Sequence, residues 1–512
     1  MAAGRRASMD QPPHSPEHGP DGTVVVDGAA RARLLAELAA IVPAAALLTS
    51  PEELGPYECD GLSAYRRLPL AVVLAGSEAE AAAVLRACHR LGVPVVARGA
   101  GTGLSGGALP HAGGIVLSLA KMQRILRLDP IARLAVVQPG VRNLAVSEAA
   151  APHGLYYAPD PSSQIACTIG GNVAENSGGV HCLKYGLTVH NVLRVRGLTM
   201  AGEAVEFGSH ALDAPGYDLL ALMHGSEGLL AVITEVTLRL TPRPETAQVI
   251  LASFDDVEQA GAAVAAIIAA GLTPAGLEMM DRPAIAAVEP FVHAGYDTAA
   301  AALLLCEADG TAAEVAEQVA AMRAVLERNG AVGIRVSASE AERQRFWAGR
   351  KAAFPAVGRL SPDYYCMDGT IPRRRLPEML RAIAGMERRY GLRCANVFHA
   401  GDGNLHPLIM YDANVPGELA RAEGFGAEIL ELSVRLGGTI TGEHGVGREK
   451  IDAMCVQFAA DELATFHRIK AAFDPQGLLN PGKAVPALQR CAELGRLHVH
   501  GGALPFPELE RF

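Results

Sequence analysis

The feature that most restricts the fold of this sequence is a glycine-rich loop between two apolar segments. The loop, residues 98–107, has five glycines in ten positions, follows the β-branched run 93–97 and precedes the apolar run 113–119. Glycine lacks a Cβ and adopts positive φ without strain, so several N–H groups of such a loop can point inward. Inward N–H groups form a concave anion site that can hold a pyrophosphate. The sequence therefore predicts a phosphate-binding loop that connects two strands.

This glycine loop also matches the dinucleotide fingerprint G-x-G-x-x-G, through Gly101, Gly103 and Gly106. That fingerprint must open a helix, whose N-terminus holds the pyrophosphate. Pro110 and the pair Gly113-Gly114 follow within a few residues, so no helical period can start there. A Rossmann fold is therefore excluded, and for the loop considered alone a flexible surface turn is the alternative to a phosphate site.

Length and composition limit the class of protein. A chain of 512 residues is too long for one ordinary core, so two or three domains are expected. The net charge of −10 argues against a nucleic-acid-binding protein, and the sequence has no basic stripe. It also has no apolar run of about 18 residues, so no membrane span is expected. Its cysteines form no C-x-x-C pair, which argues against an iron–sulfur or zinc-ribbon site.

The order of apolar segments predicts two α+β domains. In the first, helices are expected at 30–48 and 77–91, with strands at 70–74, 93–97, 115–119 and 134–138. Two prolines at 241–245 mark a boundary. Beyond it, the alternation predicts a ferredoxin-like α+β cap, with strands at 249–254, 301–306 and 332–338 and helices at 256–270 and 312–329. The predicted organisation is a disordered segment 1–22, a first domain 23–243 with its core at 68–243, a cap 245–485 and a tail 486–512.

A second dense stretch, residues 159–179, contains two Gly-Gly pairs and two asparagines among small residues. Its backbone can approach a flat ligand closely. Asn172 and Asn176 lie four residues apart, on one side of any helical turn. Turn or cap chemistry is the alternative for either asparagine alone. Together with the glycine loop, the stretch suggests a large cofactor lying across one domain.

Histidines in the second domain suggest a metal site. Asp402-Gly403 is a favoured two-residue hairpin turn, which would pair 399 with 406 and place the Cβ atoms of His399 and His406 about 5 Å apart. Glu443 is a third candidate ligand, beside His444 among the glycines of 437–447. A His₂Glu set leaves coordination positions open, as catalytic sites do. A lone histidine is more often a packed or surface residue, but three candidate ligands and a neighbouring base in glycine-framed turns favour a site.

Three segments together resemble a known family: the glycine loop, the Gly170-Gly171-Asn172 stretch and residues 225–234. They are similar to the FAD-binding domain of vanillyl-alcohol-oxidase-type flavoproteins. From about residue 50 to its end, the chain resembles the FAD-linked subunits of glycolate oxidases, notably at 182–190 and 504–512. Cytochrome-type D-lactate dehydrogenases and D-2-hydroxyglutarate dehydrogenases are further relatives. The resemblance implies an α+β fold with a vanillyl-alcohol-oxidase-type FAD-binding domain and a ferredoxin-like cap.

The resemblance implies FAD as the cofactor, with its pyrophosphate on residues 99–106 and its two ends bounded by 159–176 and 228–233. The implied cofactor-binding residues are Arg98, Gly99, Ala100, Gly101, Thr102, Gly103, Leu104, Ser105, Gly106, Pro139, Gly140, Pro159, Asp160, Ser163, Ile165, Ala166, Gly170, Asn172, Asn176, Gly228, Ile233 and Asn480. Some relatives attach FAD through a histidine in the glycine loop, where this chain has Thr102. The resemblance therefore implies non-covalent FAD.

The resemblance also implies roles for the second cluster. His399, His406 and Glu443 would bind a divalent metal, with zinc as the first candidate, and His444 would be the catalytic base. Arg350 matches the arginine with which the relatives bind the substrate carboxylate, and a planar guanidinium suits that bidentate contact. A solvated helix charge beside Lys351 is the alternative for Arg350.

The implied reaction is oxidation of glycolate to glyoxylate by hydride transfer to the flavin. D-lactate or another D-2-hydroxy acid is the alternative substrate, and a non-catalytic electron-relay or scaffold subunit is the alternative of another class. The resemblance implies a second flavin-domain-like subunit and an iron–sulfur subunit as partners, which pass electrons to the respiratory chain. It thus implies a cytoplasmic chain that contacts the inner face of the cell membrane only through partners. The tail 504–512 is a candidate docking segment, with a tail folded on its own domain as the alternative.

Overall fold

The computed structural model describes residues 28–211 and 216–486. The predicted disordered segment 1–22 and all of the predicted tail after Pro486 lie outside the described residues. The α-helices are α1 (Gly28–Ile41), α2 (Pro51–Leu54), α3 (Glu78–Leu91), α4 (Asn143–Ala150), α5 (Ile169–Glu175), α6 (Cys182–Tyr185), α7 (Leu219–Met223), α8 (Val257–Ala269), α9 (Arg282–Val292), α10 (Ala312–Arg328), α11 (Glu340–Lys351), α12 (Ala353–Val357), α13 (Leu376–Tyr390), α14 (Glu418–Arg435), α15 (Met454–Gln457) and α16 (Ala460–Phe473). The strands are β1 (Leu47–Leu48), β2 (Ala71–Leu74), β3 (Val95–Arg98), β4 (Ile115–Ser118), β5 (Ile125–Asp129), β6 (Leu134–Val137), β7 (Leu155–Tyr156), β8 (Val192–Leu198), β9 (Ala204–Gly208), β10 (Val232–Arg239), β11 (Thr241–Pro242), β12 (Thr246–Phe254), β13 (Gly276–Asp281), β14 (Ala302–Gly310), β15 (Gly333–Val336), β16 (Asp363–Cys366), β17 (Cys394–Phe398) and β18 (Pro407–Tyr411).

The first half of the chain contains two main sheets. One has the order β1-β2-β4-β3, and the other is antiparallel with the order β5-β6-β10-β8-β9. Strands β2 and β3 both pair parallel to β4, so α3 forms the crossover that parallel strands require. Ser77 caps α3 through the N–H of Glu80, and Gly92 ends it in the left-handed conformation. The predicted helix 77–91 is confirmed.

The predicted helix 30–48 is wrong at its C-terminal end. Helix α1 ends at Ile41, and Pro43 precedes a short 3₁₀ turn at Ala44–Ala46. Proline disfavours helical geometry in the residue before it and cannot donate to the preceding turn. The chain therefore leaves the helix two residues before Pro43 and enters β1 after the 3₁₀ turn.

The glycine loop connects β3 directly to β4, and residues 99–114 form no helix. The absence of a helix agrees with the exclusion of a Rossmann fold. Gly101 and Gly106 have φ values of +72° and +76°, which favour glycine. The loop is thus a strand-to-strand connection held in a conformation that other residues rarely adopt.

The second half of the chain builds a seven-stranded sheet with the order β15-β12-β14-β13-β17-β18-β16. Its neighbouring strands are antiparallel. Strands β12, β13, β14 and β15, with α8 and α10 in the crossovers, form the ferredoxin-like unit. Strands β17, β18 and β16 extend its sheet. The predicted α+β architecture of the cap is therefore confirmed, and the extension is the part that was not predicted.

The predicted register of the histidine hairpin is wrong. Asn396 lies opposite Pro407, and His399 forms a bridge with Asn404 rather than pairing with His406. The turn is wider because the N–H of Gly403 donates to the carbonyl of His399 and Gly403 has a φ of +87°. A register shift of two residues keeps each side chain on the same face of a ladder. The two histidines are diagonal neighbours, and their ring centroids are 5.0 Å apart.

The two halves meet where residues 443–449 of the cap touch the glycine loop. The N–H groups of Arg448 and Glu449 donate to the carbonyl of Ser105, whose hydroxyl donates to the carbonyl of His444. Further along, Leu478 and Leu479 pack in the core of the first domain. No helix of the described residues is long and apolar enough to cross a membrane.

Candidate active site

A cavity of about 480 Å³ lies between the two halves of the chain, in the size range of cofactor and ligand sites. One side consists of the glycine loop, α5 and residues near 161–165 and 227–233. The other side consists of cap residues, namely Lys351, Phe354, Pro355, His399, His406, Glu443 and His444. The predicted phosphate loop and the predicted metal cluster therefore line the same cavity.

Fourteen of the predicted cofactor-binding residues line this cavity. They are Arg98, Gly99, Ala100, Gly101, Thr102, Gly103, Leu104, Pro139, Ser163, Ile165, Gly170, Asn172, Gly228 and Ile233. These residues come from four separate segments of the chain, and folding brings them together around one cavity, as expected for a binding site.

The other predicted cofactor-binding residues lie outside the cavity lining: Ser105, Gly106, Gly140, Pro159, Asp160, Ala166, Asn176 and Asn480. Several of them support its wall. The amide of Asn480 donates to the carbonyls of Gly107 and Glu227, at 2.8 and 2.7 Å. Asn176 ends α5 in the left-handed conformation, and Asp160 lies 2.8 Å from the ring of His181. Direct cofactor contact for this group stays a prediction.

The glycine loop leaves no room for side chains at its centre. A Cβ on Gly99 would lie 2.2 Å from the hydroxyl of Thr168, and one on Gly101 would lie 2.2 Å from the guanidinium of Arg98. Arg98 is itself fixed by donating to the carbonyl of Cys59 at 2.6 Å. The loop can therefore present its backbone to a ligand, as a phosphate cradle requires.

Helix α5 presents a polar stripe to the cavity. Thr168, Asn172 and Glu175 are spaced so that they share one face of this helix, and each lines the cavity. Each also has a buried polar atom without a hydrogen-bond partner: Oγ1 of Thr168, Nδ2 of Asn172 and Oε2 of Glu175. Such an atom costs about 1–3 kcal/mol. A polar cofactor in the cavity would satisfy these atoms, so the residues present fit FAD.

The three candidate metal ligands come together on the cap side. Oε1 of Glu443 lies 3.2 Å from Nε2 of His399 and 3.3 Å from Nε2 of His406. The three candidate donor atoms all lie within 4.8 Å of one another. Two imidazoles and a carboxylate are ligands that zinc and related divalent ions accept. The arrangement could hold such an ion while leaving positions open towards the cavity.

The charges in this cluster are strongly coupled. Burial alone would raise the pKa of Glu443, but the facing histidines, His399 first, lower that pKa to about 2. Burial would likewise lower the pKa of His399, but Glu278 and Glu443 raise it well above its ordinary value. Without an ion the cluster thus keeps an ionised carboxylate beside a protonated imidazole. A divalent ion would take the place of that proton.

Glu278 is a supporting residue that the sequence reading missed. Its Oε1 lies 2.9 Å from Nδ1 of His399, and its Oε2 lies 2.7 Å from the guanidinium of Arg350. A carboxylate on the far nitrogen of a candidate metal-binding histidine fixes the ring orientation. A single glutamate within the apolar strand β13 was the available signal, because a buried charge needs a partner.

Arg350 is buried in the interior of the cap. It is 1% exposed, pairs with Glu278 and is not one of the cavity-lining residues. The alternative of a solvated helix charge is therefore wrong. Binding of a substrate carboxylate by Arg350 stays a prediction.

His444 has the environment of a neutral base. Its ring stacks on that of His406, with centroids 4.7 Å apart, and its Nδ1 is buried without a hydrogen-bond partner. Burial lowers the pKa of His444 to about 4, although Asp368 pulls in the opposite direction. A neutral ring that lines the cavity can accept a proton.

Asp368, a second residue that the sequence reading missed, holds the segment that carries Glu443 and His444. Its carboxylate is fully buried and accepts from the hydroxyl of Thr441. It also accepts from the N–H groups of Gly442, Glu443 and His444, at 3.1, 3.2 and 2.9 Å. With His406 and His444, Asp368 forms a second cluster that could hold an ion, although most of these donors already engage its Oδ2. No local sequence motif indicates this role, because the contacts span more than 70 residues.

Two family models match the chain. Residues 69–208 match the FAD binding domain, and residues 243–484 match the C-terminal domain of FAD linked oxidases. The curated relatives include the glycolate oxidase subunit GlcD of Escherichia coli (strain K12), at 63% identity over 94% of this chain and 97% of that protein. GlcD of Bacillus subtilis (strain 168) is 39% identical over 83% and 91%. A D-lactate dehydrogenase of Anaerostipes hadrus is 33% identical over 81% and 89%.

Solved structures agree in fold. p-Cresol methylhydroxylase with substrate bound matches with a TM-score of 0.78 and 17% identity, over 92% of this chain and 99% of that chain. The 4-ethylphenol oxidase of Gulosibacter chungangensis matches with a TM-score of 0.76 and 17% identity, over 91% and 98%. The predicted vanillyl-alcohol-oxidase-type fold with an α+β cap is thereby confirmed. From the two family models and the curated relatives, the chain belongs to the family of FAD-linked oxidases that includes the glycolate oxidase subunit GlcD.

Proposed function

We propose that this chain oxidises glycolate to glyoxylate with FAD as the hydride acceptor. The observation that carries the proposal is that His444 and the cluster of His399, His406 and Glu443 line the same cavity as the glycine loop. The 63% identity with a glycolate oxidase subunit supports glycolate as the substrate.

The two sides of the cavity have different proposed roles, cofactor binding on one side and metal binding on the other. The glycine loop and α5 would hold FAD, and His399, His406 and Glu443 would hold a divalent ion, with zinc as the first candidate. When bound, FAD supplies hydride acceptance and the ion supplies Lewis-acid polarisation of the substrate oxygens. Glu278 orients His399, and Asp368 fixes the backbone from Gly442 to His444.

His444 takes the proton of the substrate hydroxyl. Its neutral, buried ring stays available because Nδ1 has no hydrogen-bond partner. The backbone N–H of His444 donates a hydrogen bond to Asp368, which fixes the backbone of His444. The ring can therefore accept a proton without a change in the position of the backbone. Loss of the hydroxyl proton favours departure of a hydride from the adjacent carbon.

FAD is expected to be bound without a covalent link. Thr102 stands in the glycine loop, and residues 98–110 contain no histidine. Acid precipitation of the purified protein should release the yellow chromophore into the supernatant, where its absorbance is measured. Colour that stays with the precipitate, and then with peptides after proteolysis, would contradict non-covalent binding.

Among 2-hydroxy acids, glycolate is expected to reduce the flavin fastest, D-lactate more slowly and D-2-hydroxyglutarate slowest. The resemblance to D-2-hydroxyglutarate dehydrogenases implies that those enzymes carry a second basic residue, for the distal carboxylate, in the segment that matches 365–368. This chain has no lysine or arginine there. A distal carboxylate buried there without a partner would be penalised heavily. Flavin absorbance after anaerobic mixing with each acid measures the order.

The same anaerobic panel separates the classes of function. A catalytic subunit bleaches its own flavin with substrate alone, whereas an electron-relay or scaffold subunit does not. The converging His399, His406, Glu443 and His444 favour catalysis. Faster reduction by D-2-hydroxyglutarate than by glycolate would overturn the ranking, and no reduction by any acid would favour the relay subunit.

We also propose that partner subunits reoxidise the flavin. The relatives with the name GlcD are described as subunits, which supports a multi-subunit assembly. The sequence contains no iron–sulfur spacing or haem motif, and its G-x-G-x-x-G match does not open a helix as an NAD-binding fingerprint must. A second flavin-domain-like subunit and an iron–sulfur subunit are the proposed partners. Co-purification of a protein with iron–sulfur absorbance tests the assembly, and quinone reduction by the isolated chain would count against it.

A further inference from the structure

Glu175 is a cavity-lining carboxyl group to which neither the sequence motifs nor the reaction assigns a role. It is the last residue of α5, and its carboxyl group is wedged between the glycine loop and the segment after His444. A Cβ on Gly107 would lie 2.8 Å from its Oε1, and a Cβ on Gly445 would lie 2.1 Å from its Oε2. Oε2 is buried and has no hydrogen-bond partner.

A second carboxyl group, that of Glu227, lies beside it. The position that a Cβ on Gly445 would take is 3.0 Å from Oε1 of Glu227 and 2.1 Å from Oε2 of Glu175, so the two oxygens are at most about 5 Å apart, a distance at which two like charges still interact. Glu227 accepts one backbone N–H on each oxygen, from Val446 and Gly447, both at 2.7 Å. These bonds stabilise Glu227 as a carboxylate.

Glu175 has no comparable donor, so it is the member of the pair that keeps a proton. Two buried carboxylates at this separation cannot both ionise without a large cost. Burial first, and then the charge of Glu227, raise the pKa of Glu175 well above its ordinary value. The result is a neutral acid, with one O–H donor, at the wall of the cofactor cavity.

We propose that Glu175 is a cofactor-binding residue, a neutral carboxylic acid that donates a hydrogen bond to the flavin of FAD. The inference rests on the proposed function only in that FAD fills this cavity. Glu175 continues the stripe of Thr168 and Asn172, which also line the cavity and each have a buried polar atom without a hydrogen-bond partner. A donor at this place stabilises the negative charge that a flavin gains on reduction. Glu175 therefore raises the reduction potential of the bound cofactor.

The test compares Glu175→Ala and Glu175→Gln with the parent protein and with Asp281→Asn. Asp281 is a buried carboxyl group in the cap, 7% exposed, bound by Asn396 and by the N–H of Ala284, and it does not line the cofactor cavity. Glu175→Ala should lower the flavin reduction potential and weaken FAD binding about tenfold, the effect of one lost hydrogen bond of moderate strength. Glu175→Gln keeps an N–H donor and should stay near the parent, as should Asp281→Asn.

An unchanged or raised potential in Glu175→Ala would overturn the proposal, because an ionised or distant Glu175 gives those results. If the alanine variant is purified without FAD, its flavin potential cannot be measured. Difference infrared spectra of the parent and of Glu175→Gln then test whether Glu175 is a protonated carboxyl group at the flavin. Photoreduction of the flavin should shift a protonated-carboxyl C=O band that Glu175→Gln lacks, and the same band in both proteins would overturn the assignment. Neither measurement uses glycolate, so failure of the proposed reaction would be seen separately, as a flavin that photoreduces but does not respond to the acid.

Discussion

Replacing Glu443 by alanine is expected to release the divalent ion and abolish flavin reduction by glycolate, while FAD stays bound. Oε1 of Glu443 lies between Nε2 of His399 and Nε2 of His406, so the variant loses both a ligand and the negative charge of the set. His399→Ala should behave in the same way. The glycine loop belongs to the other half of the chain and keeps its own hydrogen bonds. Elemental analysis, flavin absorbance and anaerobic reduction by glycolate measure the three properties.

The matched control for this prediction is Asp281→Asn, which changes a buried carboxyl group of the cap away from the cavity. It should keep metal, FAD and activity, so a general effect of altering the cap core would be recognised. A parent protein that stays fully active after chelation has removed all metal would contradict the proposed metal site. Full metal content in Glu443→Ala would contradict its role as a ligand.

Replacing His444 by alanine is expected to have a different signature. Flavin reduction by glycolate should slow by about 10²–10⁴, the usual contribution of a general base. Metal and FAD should both stay, because the ring of His444 stacks on His406 without belonging to the set of His399, His406 and Glu443. Stopped-flow absorbance of the flavin at saturating glycolate measures the rate of this step.

Added imidazole distinguishes a lost base from a disturbed fold. It can enter the space left by the side chain and accept the proton, so it should restore part of the rate in His444→Ala. The control is His224→Ala, since His224 is a largely buried histidine that bonds the carbonyl of Leu220 and does not line the cavity. A normal rate in His444→Ala would contradict the assignment, and a slow rate that imidazole does not change would favour a purely structural role.

Local features of the chain could be predicted because their causes are local. Pro110 and Gly113-Gly114 rule out a helix after the glycine loop, and the structure has none there. The N-cap Ser77 and the terminating Gly92 bound α3 close to its predicted limits. By contrast, the helix predicted through residue 48 ends at Ile41, because Pro43 disfavours helical geometry in the residue before it and cannot donate a hydrogen bond to the preceding turn.

In the histidine hairpin, the proximity of His399 and His406 was predicted correctly although the strand register was not. The predicted pairing of His399 with His406 assumed a two-residue turn, but the bond from Gly403 to His399 closes a wider one. Side chains in a ladder alternate with a period of two, so the shift of two residues left both histidines on one face. Their proximity was predictable from spacing, whereas the turn that produces it was not.

The sequence by itself determined the glycine loop between two strands, the division into two α+β domains and the identity of the four residues at the centre of the cap cluster. These follow from backbone freedom, hydrophobic periodicity and the short spacing of residues within each turn. Only the tertiary structure decided that Glu278 supports His399, that Asp368 holds the segment of His444, and that Glu227 lies beside Glu175. Each of these contacts joins residues from about 50 to over 100 positions apart. The charges of Glu278 and Asp368 are tolerated in the interior only because folding brings partners to each, and no local pattern records those pairings.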